Sequence, residues 1–143
     1  MAISFNYREI KFKLKKPVLI KKWINAVVEK QKKHLGDLSY VFVSDEALLE
    51  MNQQFLNHNT YTDIITFDYT ENKKINGEIF ISVDRVEENA KKLNVDFEEE
   101  LRRVVIHGVL HLCGHKDKTK IDSDNMRKQE DKSLRLYNTL INE

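Results

Sequence analysis

The sequence predicts an α/β (α+β) protein, a small mixed sheet of about four strands covered by helices in the order β-α-β-α-β-β-α-α-α. Short β-branched and aromatic runs alternate with longer stretches whose apolar residues recur at helical spacing. Residues able to cap a helix stand at several of the junctions. The 143 residues contain no repeat, low-complexity segment or Pro/Gly/Ser-rich linker, so one domain spanning residues 1–143 is expected.

Ile3 to Leu14 alternates Ile3, Phe5, Tyr7 and then Ile10, Phe12, Leu14, which predicts a strand with a register shift between its halves. Pro17 suits the first turn of a helix, where its missing N–H costs nothing. That helix turns Leu19, Ile20, Trp23 and Val27 inward and is expected to stop near Gly36. The run LSYVFVS then reads as a buried strand, and Ser44 as the cap of a helix through Asn52 or Phe55. Asp63 to Tyr69 forms the next strand, ENKKING a turn, and Gly77 to Ser82 its hairpin partner. Ser82 caps a helix running to about Leu93. Asp96 and Glu99 make a capping-box pair at the start of a helix from Phe97 to Cys113. A last helix begins near Asp122 or Ser123 and buries Met126, Leu134, Tyr137, Leu140 and Ile141.

Composition narrows the function. No apolar run approaches the roughly 18 residues of a membrane span, and the alternating N-terminus has no hydrophobic signal core. The single cysteine, Cys113, offers no internal disulfide and suits a reducing cytoplasm. The net charge of +1 hides an asymmetry: residues 1–33 hold ten Lys/Arg against two Glu, and residues 34–100 five against fifteen Asp/Glu. A basic first third suits a phosphate-backbone partner, although a solvated lysine-rich face would have the same composition.

The chemistry lies at the end of the helix from Phe97. At about 100° per residue, Leu101, Val104, Val105, Gly108 and Leu112 form one apolar stripe. His107 and His111 sit together on its flank, one turn apart, and Ile106 and Leu110 fill the opposite face. This half of the helix is therefore buried, and its imidazoles need partners. A metal shared through His-x-x-x-His, as in the zincins, is one answer; two core histidines bonded to backbone or water are the other.

Gly114 stands where the helix can end in the left-handed conformation and let the chain fold back. Had the helix continued, His115 would lie about 12 Å along the axis from His107, too far for a shared ion. As the first residue of the return it has little room to swing back. Asp117 completes H-x-x-x-H-x-x-G-x-x-D, the spacing of the extended zincin motif with aspartate in the last place. The predicted ligands are therefore His107, His111 and Asp117 on one Zn2+, with a fourth position left for water. On the helical wheel Cys113 points away from His111 and is expected to pack.

With these residues in view, HGVLHLCGHKD resembles the signature H-G-x-L-H-L-x-G-Y-D-H of the YbeY-type endoribonucleases, the rRNA maturation factors. His107, Gly108, Leu110, His111, Leu112 and Gly114 match it. Leu56-Asn57 and TDIITF (Thr62 to Phe67) resemble the Leu-Asn and T-D-V-L-S-F elements of the family, and Gly77-Glu78-Ile79 its Gly-Asp-Ile strand. Met126 and Glu130 resemble the Met and Glu of its last helix. The resemblance implies a zincin-like fold, a zinc ion, and cleavage of single-stranded RNA in rRNA maturation and ribosome quality control. The implied partners are RNA and the ribosome or its assembly factors, with neither DNA nor membrane expected. The third ligand, normally histidine, falls on Asp117, while His115-Lys116 replaces Tyr-Asp. The family's arginine between the Leu-Asn and Thr-Asp elements is absent from LNHNTYTD, where His58 alone can carry positive charge.

The residue acting as general acid or base is not readable; His58 is the one candidate beside the metal-bound water. Lys116 and Lys118 are candidate phosphate-holding groups flanking the predicted ligand Asp117. Two other readings use the same metal: a non-catalytic, metal-stabilised ribosome-assembly factor, and a metallopeptidase. Gly108 stands where H-E-x-x-H peptidases carry their general-base glutamate, which counts against the last.

Overall fold

A computed structural model describes residues 2–55 and 62–142. Its elements run β1 (Ala2–Tyr7), α1 (Pro17–Lys30), β2 (His34–Val43), α2 (Asp45–Phe55), β3 (Ile64–Asp68), β4 (Lys74–Ser82), α3 (Val83–Leu93), α4 (Phe97–Leu112) and α5 (Lys120–Ile141), the predicted order. The strands form one sheet in the order β1-β2-β4-β3, with β3 on an edge. β1 and β4 flank β2 in parallel, and β3 runs antiparallel to β4, as a hairpin requires.

The period-2 alternation of the strands divides the interior in two. Leu38, Tyr40, Phe42, Ile75, Ile79 and Ile81 join Trp23 of α1, much of α4 and Tyr137 of α5 in the larger cluster. Val41, Val43, Ile65 and Phe80 pack with Leu48 of α2 in the smaller. Buried polar groups in the larger cluster find partners. The Tyr40 hydroxyl donates to the Val105 carbonyl (2.9 Å) and the Trp23 indole N–H to that of Ser133 (2.7 Å), pinning α4 to the sheet and α5 to α1. On α4, a Cβ at Gly108 would lie 2.8 Å from Ile79 Cδ1 and 3.1 Å from Ile64 Cδ1, so the glycine lets the helix lie close against β3 and β4. Among the described residues no helix is long and apolar enough to cross a membrane.

Ser44 and Ser82 cap as expected, accepting from the N–H groups of Ala47 and Arg85. Several boundaries differ from the sequence-based expectation. The first strand ends at Tyr7; Glu9 takes a positive φ of 57°, and Ile10, Phe12 and Leu14 pack into the core without strand pairing. α1 stops at Lys30 rather than near Gly36, which lies inside β2. The left-handed position beyond that helix is held by Lys32 (φ 60°). β4 starts at Lys74, so the hairpin turn is tighter than ENKKING. Asp96 occupies the N-cap of α4, but its side chain makes no capping bond, so the capping box is not formed. α5 opens earlier than expected because Thr119 supplies the cap, accepting from the Asp122 N–H; its Ile141 is exposed.

Candidate metal centre

α4 is buried nearly all round: Leu101, Val104, Val105, Ile106, Gly108, Val109, Leu110 and Leu112 are all enclosed. That burial fixes the direction of the two histidines on its remaining flank. His107 is partly enclosed and His111 exposed, and both line a cleft of about 460 Å³ between α4, β3 and the first half of α5. Asp63, Thr66, Glu100, Arg103, Asp117, Arg127 and Glu130 complete most of its polar wall.

Gly114 ends the helix as predicted, at φ 105°. The His115 N–H bonds the Leu110 carbonyl (3.1 Å) and the Gly114 N–H that of His111 (3.0 Å), the paired bonds of a Schellman turn. The chain reverses, and Asp117 Oδ2 lies 3.3 Å from His107 Nε2. His115 points elsewhere, its Nε2–H donating to Gln31 Oε1 of the segment after α1 (2.7 Å). Of the predicted residues, then, His107, His111 and Asp117 share one cleft, while His115 belongs to a different contact. Lys116 and Lys118 are exposed on the return; His58 and the Leu56-Asn57 pair lie outside the described residues. Because only glycine takes φ near 105° cheaply, Gly114→Ala should cost about 1–2 kcal/mol, read as a lowered Tm.

One residue that the sequence reading placed only in a motif organises the cleft. Glu130 of α5 accepts from His107 Nδ1–H through Oε2 (2.7 Å) and from Arg103 through Oε1 (2.9 Å). The other arm of Arg103 reaches Asp131 Oδ1 at 2.8 Å. A carboxylate on Nδ1 sets the tautomer that leaves the Nε2 lone pair facing Asp117, the orientation that metal-binding histidines use. Burial works to depress His107, but the bond and charge of Glu130, with Asp117 and Asp63, outweigh it and hold the imidazole above its usual range. Burial likewise works to raise Glu130, yet its bonds to His107 and Arg103 prevail and keep the carboxyl below its ordinary value. At Asp63 and Glu100 burial prevails over the lowering by His107 and by Arg103 and Arg127 respectively, and both carboxyls are pushed upward.

The donors suit zinc in kind: an oriented imidazole, a carboxylate 3.3 Å from it, and a second imidazole one turn on. Among the described residues no three His, Cys, Asp or Glu side chains already stand close enough together to enclose an ion. Cys113 is half-buried, and burial raises its thiol to about 11. Alkylation of the native protein at pH 8 should therefore run on the order of a hundredfold slower than for a free thiol, because the thiolate reacts.

Over nearly its whole length the chain is similar to known proteins. The family model described as endoribonuclease YbeY matches residues 3–138. The chain belongs to the endoribonuclease YbeY family. It is 49% identical over 140 residues to the endoribonuclease YbeY of Flavobacterium psychrophilum, covering 98% of this chain and 99% of that one. The Flavobacterium johnsoniae relative of the same name is 48% identical over 135 residues, covering 94% and 96% of the two chains. A Thermotoga maritima protein solved in solution superposes with a TM-score of 0.65 at 29% identity, covering 96% of this chain and 93% of that one. The stretch HGVLHLCGHKD, which resembles the signature given above, lies on α4 and its return and contributes His107, His111 and Asp117 to the cleft.

Proposed function

We propose that the chain is a zinc-dependent endoribonuclease that cuts single-stranded RNA during rRNA maturation and ribosome quality control in the cytoplasm, in contact with the ribosome or its assembly factors. The observation that carries this reading is the Glu130–His107–Asp117 line, ending in an open cleft that also holds His111 and Arg127. Membership of an endoribonuclease family supports RNA as the substrate.

His107, His111 and Asp117 would hold the metal, which when bound supplies Lewis-acid charge and lowers the pKa of a water. Glu130, itself fixed by Arg103, keeps His107 turned toward that position. Cleavage adds water to phosphorus, breaks the bond to the departing sugar oxygen, and delivers a proton to that oxygen. Asp63, half-buried in the cleft wall and held above its ordinary pKa, is the cleft carboxyl best suited to carry a proton. Arg127 supplies a cation for the phosphate: its guanidinium is half-exposed, and Nη1 lies 3.6 Å from Glu130, whereas Arg103 is committed to two short ion pairs. This cation comes from α5 and not from the stretch LNHNTYTD, in which the sequence lacks the family's arginine.

Cleavage of an oligoribonucleotide by metal-stripped protein, with and without added zinc, tests the reading. Zinc should restore activity to wild type and not to His111→Ala, and Arg127→Ala should lower kcat/KM about 10–100-fold, the worth of a charge-assisted hydrogen bond. Equal cleavage by His111→Ala and wild type would dismiss the metal mechanism.

A further inference from the structure

A second concave surface lies between α1 and the C-terminal half of α5, about 770 Å³ in volume. Lys30, Lys132 and Arg135 line it, together with the polar Gln31, Gln129, Ser133 and Thr139, and no carboxylate does. All three cations are exposed, and none forms an ion pair among the described residues. Lys128, Lys132 and Arg135 recur at i, i+4 and i+7, so they form one stripe along α5. The floor is rigid, because the Trp23 indole bonds the Ser133 carbonyl and stacks edge-on against Tyr137.

The groove is also tied to the metal cleft. Gln31 Nε2–H donates to Gln129 Oε1 at 3.1 Å, and Gln31 Oε1 accepts from His115 at 2.7 Å. His115 is two residues from Asp117, and the exposed Lys116 and Lys118 lie on the same return. A hydrogen-bonded link therefore joins the groove to the return that carries Asp117, Lys116 and Lys118.

We propose that this groove is an extended binding site for the phosphate backbone of single-stranded RNA, engaging nucleotides beyond those in the cleft. Unpaired cations on a rigid floor attract polyanions without reading bases, and each phosphate neutralised releases counterions. Of the ten Lys/Arg in the basic first third of the chain, the groove takes Lys30. It rests on the reading of single-stranded RNA as substrate.

The test is fluorescence anisotropy of labelled oligouridylates of five and twenty nucleotides, in chelator to prevent turnover, over a salt series. Wild type is compared with the K30A/K132A/R135A triple variant, whose changes are on exposed side chains; circular dichroism checks its fold. The triple variant should bind the five-mer within about twofold of wild type and the twenty-mer at least tenfold more weakly. Its log K against log salt slope for the twenty-mer should be shallower by about 2, at ~0.7 per lost phosphate contact. Unchanged affinity and slope for the twenty-mer would overturn the groove while leaving the cleft reading intact. Failure of wild type to bind either length would overturn both. A labelled polyglutamate peptide whose binding is lost in the triple variant, with RNA binding unchanged, would assign the groove to an acidic protein segment instead.

Discussion

Replacing Asp117 by alanine is expected to abolish zinc-stimulated RNA cleavage, while His115→Ala, which loses one mooring of the return but no donor, keeps most of it. The two residues are two positions apart and both polar, yet their surroundings differ. Asp117 faces His107 Nε2 across 3.3 Å inside the cleft, whereas the His115 ring is engaged with Gln31. Loss of a residue that merely orients a ligand costs about 10–100-fold in metal affinity or activity, and loss of the ligand itself should exceed that. Elemental analysis of the purified variants is the companion measurement: zinc should fall well below one per chain in Asp117→Ala and His111→Ala, and not in His115→Ala. Zinc retained by Asp117→Ala and lost from His115→Ala would reassign the third donor.

Replacing Glu130 by alanine should destabilise the fold by about 3–5 kcal/mol and also weaken metal binding. Its side chain is 7% exposed, and its two oxygens are bonded to His107 and Arg103. Removal strands the Arg103 guanidinium with Asp131 alone and frees the His107 ring to change tautomer. A buried ion pair need not add stability over an apolar core, but deleting one partner leaves the other charge uncompensated. Denaturant unfolding reads the first effect, and zinc titration the second. Glu130→Gln separates them, because the amide keeps the volume and one acceptor while losing the charge. A variant as stable as wild type would mean that Arg103 is satisfied without Glu130.

The fold was legible where burial and local chemistry agreed. α4 announced itself by being apolar nearly all round in its second half, and Ser44 and Ser82 cap their helices because a short hydroxyl preceding an amphipathic run has few better uses. Alternation misled at Ile10, Phe12 and Leu14, for it reports where side chains point and not whether a neighbouring strand accepts the backbone. Gly36 misled because glycine is the usual left-handed residue beyond a helix, a role that Lys32 takes here.

The site was legible in the same uneven way. His107, His111, Gly114 and Asp117 form a local pattern, so helix geometry and the reversal at Gly114 bring them to one end of α4. Glu130 and Arg103 meet across 27 residues through the packing of α5 on α4, and single-sequence spacing carries no record of that contact. Beside the resemblance of Met126 and Glu130 to the family's last helix, the signal was that Glu130 follows the buried Met126 by one turn, which places a carboxylate on the core-facing side of α5. Arg127 and the groove cations looked like ordinary solvated charge until the helices were set beside each other.

The hydrogen-bonded link from His115 through Gln31 to Gln129 joins residues 84 and 98 positions apart in sequence. The reversal after α4 is thereby moored to two helices that take no part in ligation, and Gly114 sets its direction from within the backbone. Neither anchor involves the side chain at position 117. Location and identity of the proposed third donor are thus separately inherited traits. A carboxylate can stand where the signature that this stretch resembles has an imidazole, and a substitution at position 117 would change the charge of the cleft without redrawing the scaffold around it.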